Sequence, residues 1–174
     1  CINLLLNALL QETGFVVSPV LLSTRDHGKI KTDYPFQQFL NYVIVMVKQQ
    51  DNVLLLDATE PMSPLGLLPA RCINERGIIV DKEKEQWIDL TDDLPSVLID
   101  SINIGFNKQL DTVFVDQRIR SSGHEALRQR IRYTENESAL VRSFLPSDHV
   151  LADSAAFEAQ TDLSRLFGIN MSSK

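Results

Sequence analysis

Residues 39–61, FLNYVIVMVKQQDNVLLLDATEP, hold two apolar runs separated by a polar turn. Residues 40–47 and 53–57 read as strands, and KQQDN between them reads as the turn of a hairpin. The first strand is entered through Asn41 and Tyr42, and the second ends in a carboxylate, Asp57. A carboxylate at the end of a buried strand must be hydrogen-bonded or stay wet. Asp57 is expected to accept hydrogen bonds from backbone N–H groups of the DATEP turn, from Thr59 or from Tyr42, and what it faces is the question on which fold and function turn.

Upstream, Leu5, Leu6, Leu9 and Leu10 fall at helical spacing and predict a helix over residues 2–13 that buries those leucines against the sheet. Gly14 follows as a helix stop, since glycine takes the left-handed C′ conformation cheaply. FVVSPVLLST reads as a strand, with Pro19 pointing to an edge or a bulge, and RDHGKIKTDYPF as a polar loop. Downstream, MSPLGLLP is an irregular connection, RCINERGIIV a short hairpin turning at residues 74–77, and EQWIDL a short strand with the one tryptophan.

A boundary falls in TDDLPS, residues 91–96, dividing the chain into segments 1–92 and 93–174. VLIDSINIGFN alternates as a half-buried strand does, with Ile102, Ile104 and Phe106 against Ser101, Asn103 and Gly105, and TVFVDQRIR is its expected hairpin partner. Helices are expected near 123–132 and 135–144, the second opened by a Thr134/Glu137 capping box and stopped before Pro146. The tail, HVLADSAAFEAQTDLSRLFGINMSSK, is compatible with either helix or strand. The sequence shows no internal repeat and no low-complexity segment.

The 174 residues suffice for one medium domain or two small ones, and the net charge of -6 argues against wholesale binding to nucleic acid or anionic membrane. No apolar run approaches the ~20 residues of a membrane span, and INLLLNALL is interrupted by Asn3 and Asn7. Two cysteines, Cys1 and Cys72, are too few for a disulfide framework and leave a single bridge open. The sequence opens directly on a helix without methionine, which reads as a fragment of a longer protein. A lipoprotein beginning at a lipidated cysteine is the alternative, but the polar tether such a protein needs is missing.

The order is helix ending in glycine, strand, long loop, strand, turn, strand ending in aspartate. On INLLLNALLQETGF, PVLLSTRDHGK, FLNYVIVMV and LLLDATEPMSPLGLLPARCINERG it resembles the core of the transglutaminase-like superfamily, which shares the papain-like cysteine-nucleophile arrangement. It looks most like the bacterial multidomain proteins of that superfamily that carry β-rich domains on both sides of the core. The resemblance covers residues 1–90 well and residues 96–132 more weakly. It implies an α+β fold: a transglutaminase-like core, helix packed on antiparallel sheet, over 1–92, then a β-rich segment with one or two helices over 93–174. It also favours a periplasmic or extracellular setting.

In active members a helix-terminal cysteine, its pKa lowered by the helix dipole and a histidine, attacks an amide, and an aspartate on the neighbouring strand orients the histidine. The resemblance implies that Asp57 holds the orienting position and that Tyr42 stands where the histidine belongs. A phenol with an ordinary pKa of about 10 cannot shuttle protons near neutrality. In the family the nucleophile precedes the glycine by roughly fifteen residues, and two residues turn a helix by about 200°. Cys1 precedes Gly14 by thirteen, so it serves as nucleophile only if the register is shifted.

The resemblance thus implies a degenerate triad at Tyr42 and Asp57 and a non-catalytic recognition or scaffold module. Its expected partners are a peptide or protein segment in the groove near those residues and adjacent domains of the same chain. The alternatives are a thiol-dependent amide hydrolase or acyltransferase whose nucleophile lies at or before Cys1, and a purely structural piece of a surface protein.

His27, His124 and His149 show no metal-ligand spacing, the sequence has no glycine-rich phosphate loop, and no cofactor or metal is called for. Cys72 reads as a buried, inert thiol in an apolar strand, and Arg118, Arg120, Arg128, Arg130 and Arg132 as a solvated face paired with acids.

Overall fold

The computed structural model describes residues 1–30, 37–50, 52–81, 84–91, 95–145 and 152–173. Pro146 and His149 lie outside the described residues. The fold is α+β and mostly strand, with two helices and two antiparallel sheets among the described residues. The chain divides into two compact units, Cys1–Asp93 and Leu94–Lys174.

The first unit contains α1 (Ile2–Glu12), β1 (Val16–Leu22), β2 (Tyr42–Gln49), β3 (Asn52–Leu56), β4 (Arg76–Ile79) and β5 (Gln86–Asp89). Its strands form one sheet in the order β3-β2-β1-β4-β5. The β2–β3 hairpin closes with Gln49 opposite Asn52, and Gln50 takes a φ of 55° in the turn. α1 packs on β1 and β2. It ends in a Schellman motif: Phe15 N–H donates to Leu10 O at 3.1 Å and Gly14 N–H to Gln11 O at 3.0 Å, with Gly14 at φ 87°.

Strand alternation sends Val17, Val45 and Val47 toward Leu6 and Leu10 of α1. Val20, Leu22 and Ile44 point to the opposite face, where Leu68, Cys72 and Leu90 cover them. The sheet is therefore buried on both faces, which is why its strands read as continuous apolar runs.

Three expectations for this unit are corrected. The helix face is not the leucine stripe: Leu5 and Leu9 are 59% and 57% exposed, and the stripe turned to the sheet is Asn3, Leu6, Asn7 and Leu10. α1 is apolar on nearly every side, so periodicity alone cannot choose its inner face; the hydrogen bonds of Asn3 described below do.

Pro19 does not mark an edge, since β1 is the central strand. In a strand the N–H and C=O of one residue point the same way, and Pro19 O accepts from Val80 N at 2.8 Å on the β4 side. The missing N–H therefore falls where the β1–β4 ladder, Leu21↔Ile78 and Val20↔Ile79, has ended.

Residues 74–77 are not a hairpin turn. Gly77 lies inside β4, where a Cβ would sit 2.6 Å from Val20 Cγ1 and 3.1 Å from Leu21 O. Asn74 is instead a buried tie, donating from Nδ2 to Ser23 O at 3.0 Å and Gly28 O at 2.8 Å.

The second unit contains β6 (Leu98–Phe106), β7 (Val113–Ser121), α2 (Gly123–Arg142), β8 (Ala152–Glu158) and β9 (Phe167–Ser173), with strand order β6-β7-β9-β8. α2 contributes Ala126 and Leu140 to a core with Ile119, Phe167, Ile169 and Met171. The two expected helices are the two halves of Gly123–Arg142, which breaks at Asn136, whose φ and ψ of -161° and 96° are extended and not helical. The cap of the second half is not Thr134, which donates back to Ile131 O at 2.8 Å. It is Asn136, whose Oδ1 accepts from Ala139 N at 3.0 Å.

Candidate functional site

Asp57 follows β3 and projects to the same sheet face as Leu55, toward Tyr42 at the head of β2. Its side chain is fully buried, and donors surround both oxygens. Oδ1 accepts from Asn3 Nδ2 at 2.9 Å, Thr59 N at 2.9 Å and Thr59 Oγ1 at 2.7 Å. Oδ2 accepts from Tyr42 OH at 2.9 Å, with Arg71 Nη2 at 3.4 Å and the Cys72 thiol at 3.7 Å. The donors come from the helix, the sheet and the connection after β3, so one carboxylate joins all three.

Each donor is itself held in place. Asn3 has no exposed surface; its Nδ2 also donates to Val43 O at 2.7 Å, and its Oδ1 accepts from Ala58 N at 2.8 Å. Arg71 donates to Thr59 Oγ1 at 2.7 Å, pairs with Glu60 at 3.6 Å, and lies 5.5 Å from the centre of the Tyr42 ring. Tyr42 OH and Thr59 Oγ1 are 2.6 Å apart, and each also reaches Asp57. Two hydroxyls carry two protons for three contacts, so at least one proton always bonds the carboxylate.

The charges follow from this geometry. Burial pushes the Asp57 carboxyl up, but the hydrogen bonds from Asn3, Thr59 and Tyr42 outweigh it and hold its pKa below the ordinary aspartate value. Burial raises the Tyr42 phenol; bonds from Thr59 and Arg71 pull it back only in part, and Asp57 raises it further, so it remains a neutral donor. Cys72 is pushed up to about 12, by burial first and the Asp57 charge second, with Arg71 opposing. Its thiol is not a nucleophile near neutral pH.

The structure brings Tyr42 and Asp57 together, and none of the network's hydrogen bonds described above involves Cys1. Cys1 is an exposed free cysteine at the N-cap of α1 and makes no side-chain cap bond. Cys72 is buried and free, as its composition of neighbours suggested, but it sits in a 3₁₀ turn, Ala70–Cys72, and not in a strand. His27 is exposed, with Nε2 3.0 Å from Gln38 O, and His124 lies in the first turn of α2 in the second unit. No group of three or more His, Cys, Asp or Glu side chains positioned for a metal ion occurs among the described residues. No helix of the described residues is long and apolar enough to cross a membrane.

The basic run divides. Arg120 pairs with Glu158 at 3.2 Å and Arg128 pairs with Glu125. Arg130 is 1% exposed, so it is no part of a solvated face; it donates to the backbone carbonyls of Ala159, Asp162 and Arg165.

Sequence reasoning missed Asn3 and Arg71, whereas Thr59 is among the donors expected for Asp57. The legible signal for Asn3 was an amide inside an apolar helix, which needs a partner once buried. Thr59, two residues after Asp57, has the spacing of an Asx-type turn, and its N–H bonds Asp57 Oδ1. Comparison of the chain with family models, with curated proteins and with solved structures finds no match.

Proposed function

We propose that the first unit is a transglutaminase-like module without catalytic activity, serving as a recognition or scaffold domain. The observation that carries this reading is the saturation of Asp57. An orienting carboxylate in a working triad keeps one oxygen for the imidazole of its base. Here Oδ2 is taken by Tyr42 OH, and Oδ1 by Asn3 and Thr59. Tyr42, standing where the resemblance puts the histidine, donates a hydrogen bond to the carboxylate and has a pKa raised away from neutrality.

What the network does is bind α1, the β2–β3 hairpin and the Ala70–Cys72 turn into one surface. Thr59 and the 39%-exposed side chain of Arg71 form its outer edge, and a peptide or protein partner would meet the module there. The test is an assay of the full chain for peptide-amide hydrolysis and for amine incorporation into glutamine-containing substrates. No turnover is expected in either assay. Turnover that disappears on Cys1→Ala would overturn the reading in favour of a thiol-dependent amide hydrolase or acyltransferase.

A further inference from the structure

β6 lies at the edge of the second unit's sheet, and all nine of its residues, Leu98–Phe106, are exposed. Natural sheets blunt such edges with lysine, proline, bulges or short strands. β6 has none of these and carries a single charge, Asp100: it is long, it holds no lysine or proline, and its register with β7 runs unbroken from Leu98↔Ser121 to Phe106↔Val113. Ile102, Ile104 and Phe106 share one face and are 53%, 62% and 60% exposed. Among the described residues no strand pairs with the outer side of β6.

We propose that this edge pairs antiparallel with β6 of a second copy of the chain, centred on Ile104, to make one continuous sheet across a twofold axis. Strand and following turn are self-complementary in that register. Ile104 meets Ile104 of the second copy, and Ile102 meets Phe106 on either side. Lys108, in the turn 107–110 just past the end of β6, falls at the end of the ladder near Asp100 of the second copy, so an apolar centre is flanked at both ends by opposite charges. A register centred on Ile102 sets Asp100 against Ile104 and leaves both charges without a partner. In the Ile104 register the two Asp100 side chains are about 27 Å apart at ~3.4 Å per residue, so they do not repel across the axis.

Gln117 Nε2 already donates to Asp100 Oδ2 at 2.8 Å from β7, which orients the carboxylate and leaves its other oxygen for lysine. A single strand pairing buries less than the ~800 Å² per partner of a tight interface. The dimer is therefore expected among weak, concentration-dependent associations.

The experiment uses the full chain with Cys1→Ser, so that Cys72, which is buried, is the only native thiol. Adding Ile104→Cys should give a disulfide-linked dimer under mild oxidation, because directly opposed residues bring their Cβ atoms within ~5 Å. Ile99→Cys, which has no twin opposite it, should not. In sedimentation velocity the parent chain should pass from monomer to dimer across the micromolar range. Ile104→Lys should shift that transition at least tenfold upward, Lys108→Asp should weaken it, and adding Asp100→Lys to Lys108→Asp should restore it. A chain monomeric throughout, or a dimer that Ile104→Cys fails to trap, overturns the proposal. A β6 that instead takes up a strand from a different protein does so as well. The cross-linking arm decides the matter even if Ile104→Lys misfolds.

Discussion

Replacing Asp57 by alanine withdraws the acceptor shared by Asn3, Thr59, Tyr42 and Arg71. A hydrogen bond to a charged group contributes about 1.5–3 kcal/mol, but bonds to one atom do not add, and a donor that can turn to water recovers much of the loss. Arg71 is partly exposed and keeps Glu60, while Thr59 is exposed; neither is stranded. Asn3 cannot reach water and keeps only Val43 O for its amide N–H bonds.

The stranded Asn3 donor and the lost anionic acceptor for Tyr42 and Thr59 together make about 3 kcal/mol, within a range of about 2–4. For a unit of this size, Cys1–Asp93, that lowers Tm by on the order of 10–20 °C. Asp57→Asn should lose nearly as much, because its amide turns a donor toward Tyr42 OH or Arg71. Chemical denaturation followed by Trp87 fluorescence reports on this unit.

The pH dependence has a definite sign. The folded pKa of Asp57 is depressed, so its stabilisation is present above the unfolded value of ~3.9 and is lost as pH falls through the folded value. Wild type should shed this increment below about pH 4, and Asp57→Ala should show no such loss. A cost under about 0.5 kcal/mol, or an acid transition identical in both proteins, refutes the reasoning.

Asn3→Ala should cost about 2 kcal/mol, more than an ordinary solvent-facing helix substitution, because it frees Ala58 N and removes a donor to Asp57; urea titration measures it. Leu5→Ala, on the exposed face of α1, should stay within about 0.5 kcal/mol in the same titration. Under native conditions an alkylating reagent should modify Cys1 and spare Cys72, and both should react once the chain is unfolded; intact-mass spectrometry counts the adducts. Asn136→Ala should lower the stability of the second unit by about 1 kcal/mol through loss of the cap to Ala139, whereas Thr134→Ala should do less.

The hairpin of residues 39–61 was readable because its two apolar runs are short, the first of them β-branched, and separated by polar turn residues. The β6–β7 hairpin was readable because Ile102, Ile104 and Phe106 alternate strictly with small or polar residues, but the half-burial that this alternation predicts is not found, since all nine residues of β6 are exposed. The inner face of α1 was not readable from spacing. Leu5 and Leu9 have the same periodicity as Leu6 and Leu10, and the choice between them is made by a bond from Asn3 to a carboxylate 54 positions away.

Pro19 misled for a similar reason: what permits it is the end of the ladder to β4, which is a property of residues near 80. β8 and β9 were hidden by composition. ADSAAFE and FGINMSS carry few β-branched residues, and β9 becomes a strand by pairing between β7 and β8. At the site, Tyr42 and Asp57 were visible as strand-end residues. Arg71 was not, because nothing in its local sequence says that the turn after Pro69 folds back over the sheet end.

The central claim is that Asp57 is, near neutral pH, an ionised and fully bonded acceptor that holds the unit together. Carboxyl-carbon NMR of the full chain, with Asp57 assigned by comparison with Asp57→Asn, tests it most directly. The account predicts an Asp57 titration below the ordinary aspartate value of ~3.9 and a flat chemical shift from pH 5 to 8. A midpoint raised into the range of pH 5 to 8, where a catalytic acid or base would be poised, contradicts it.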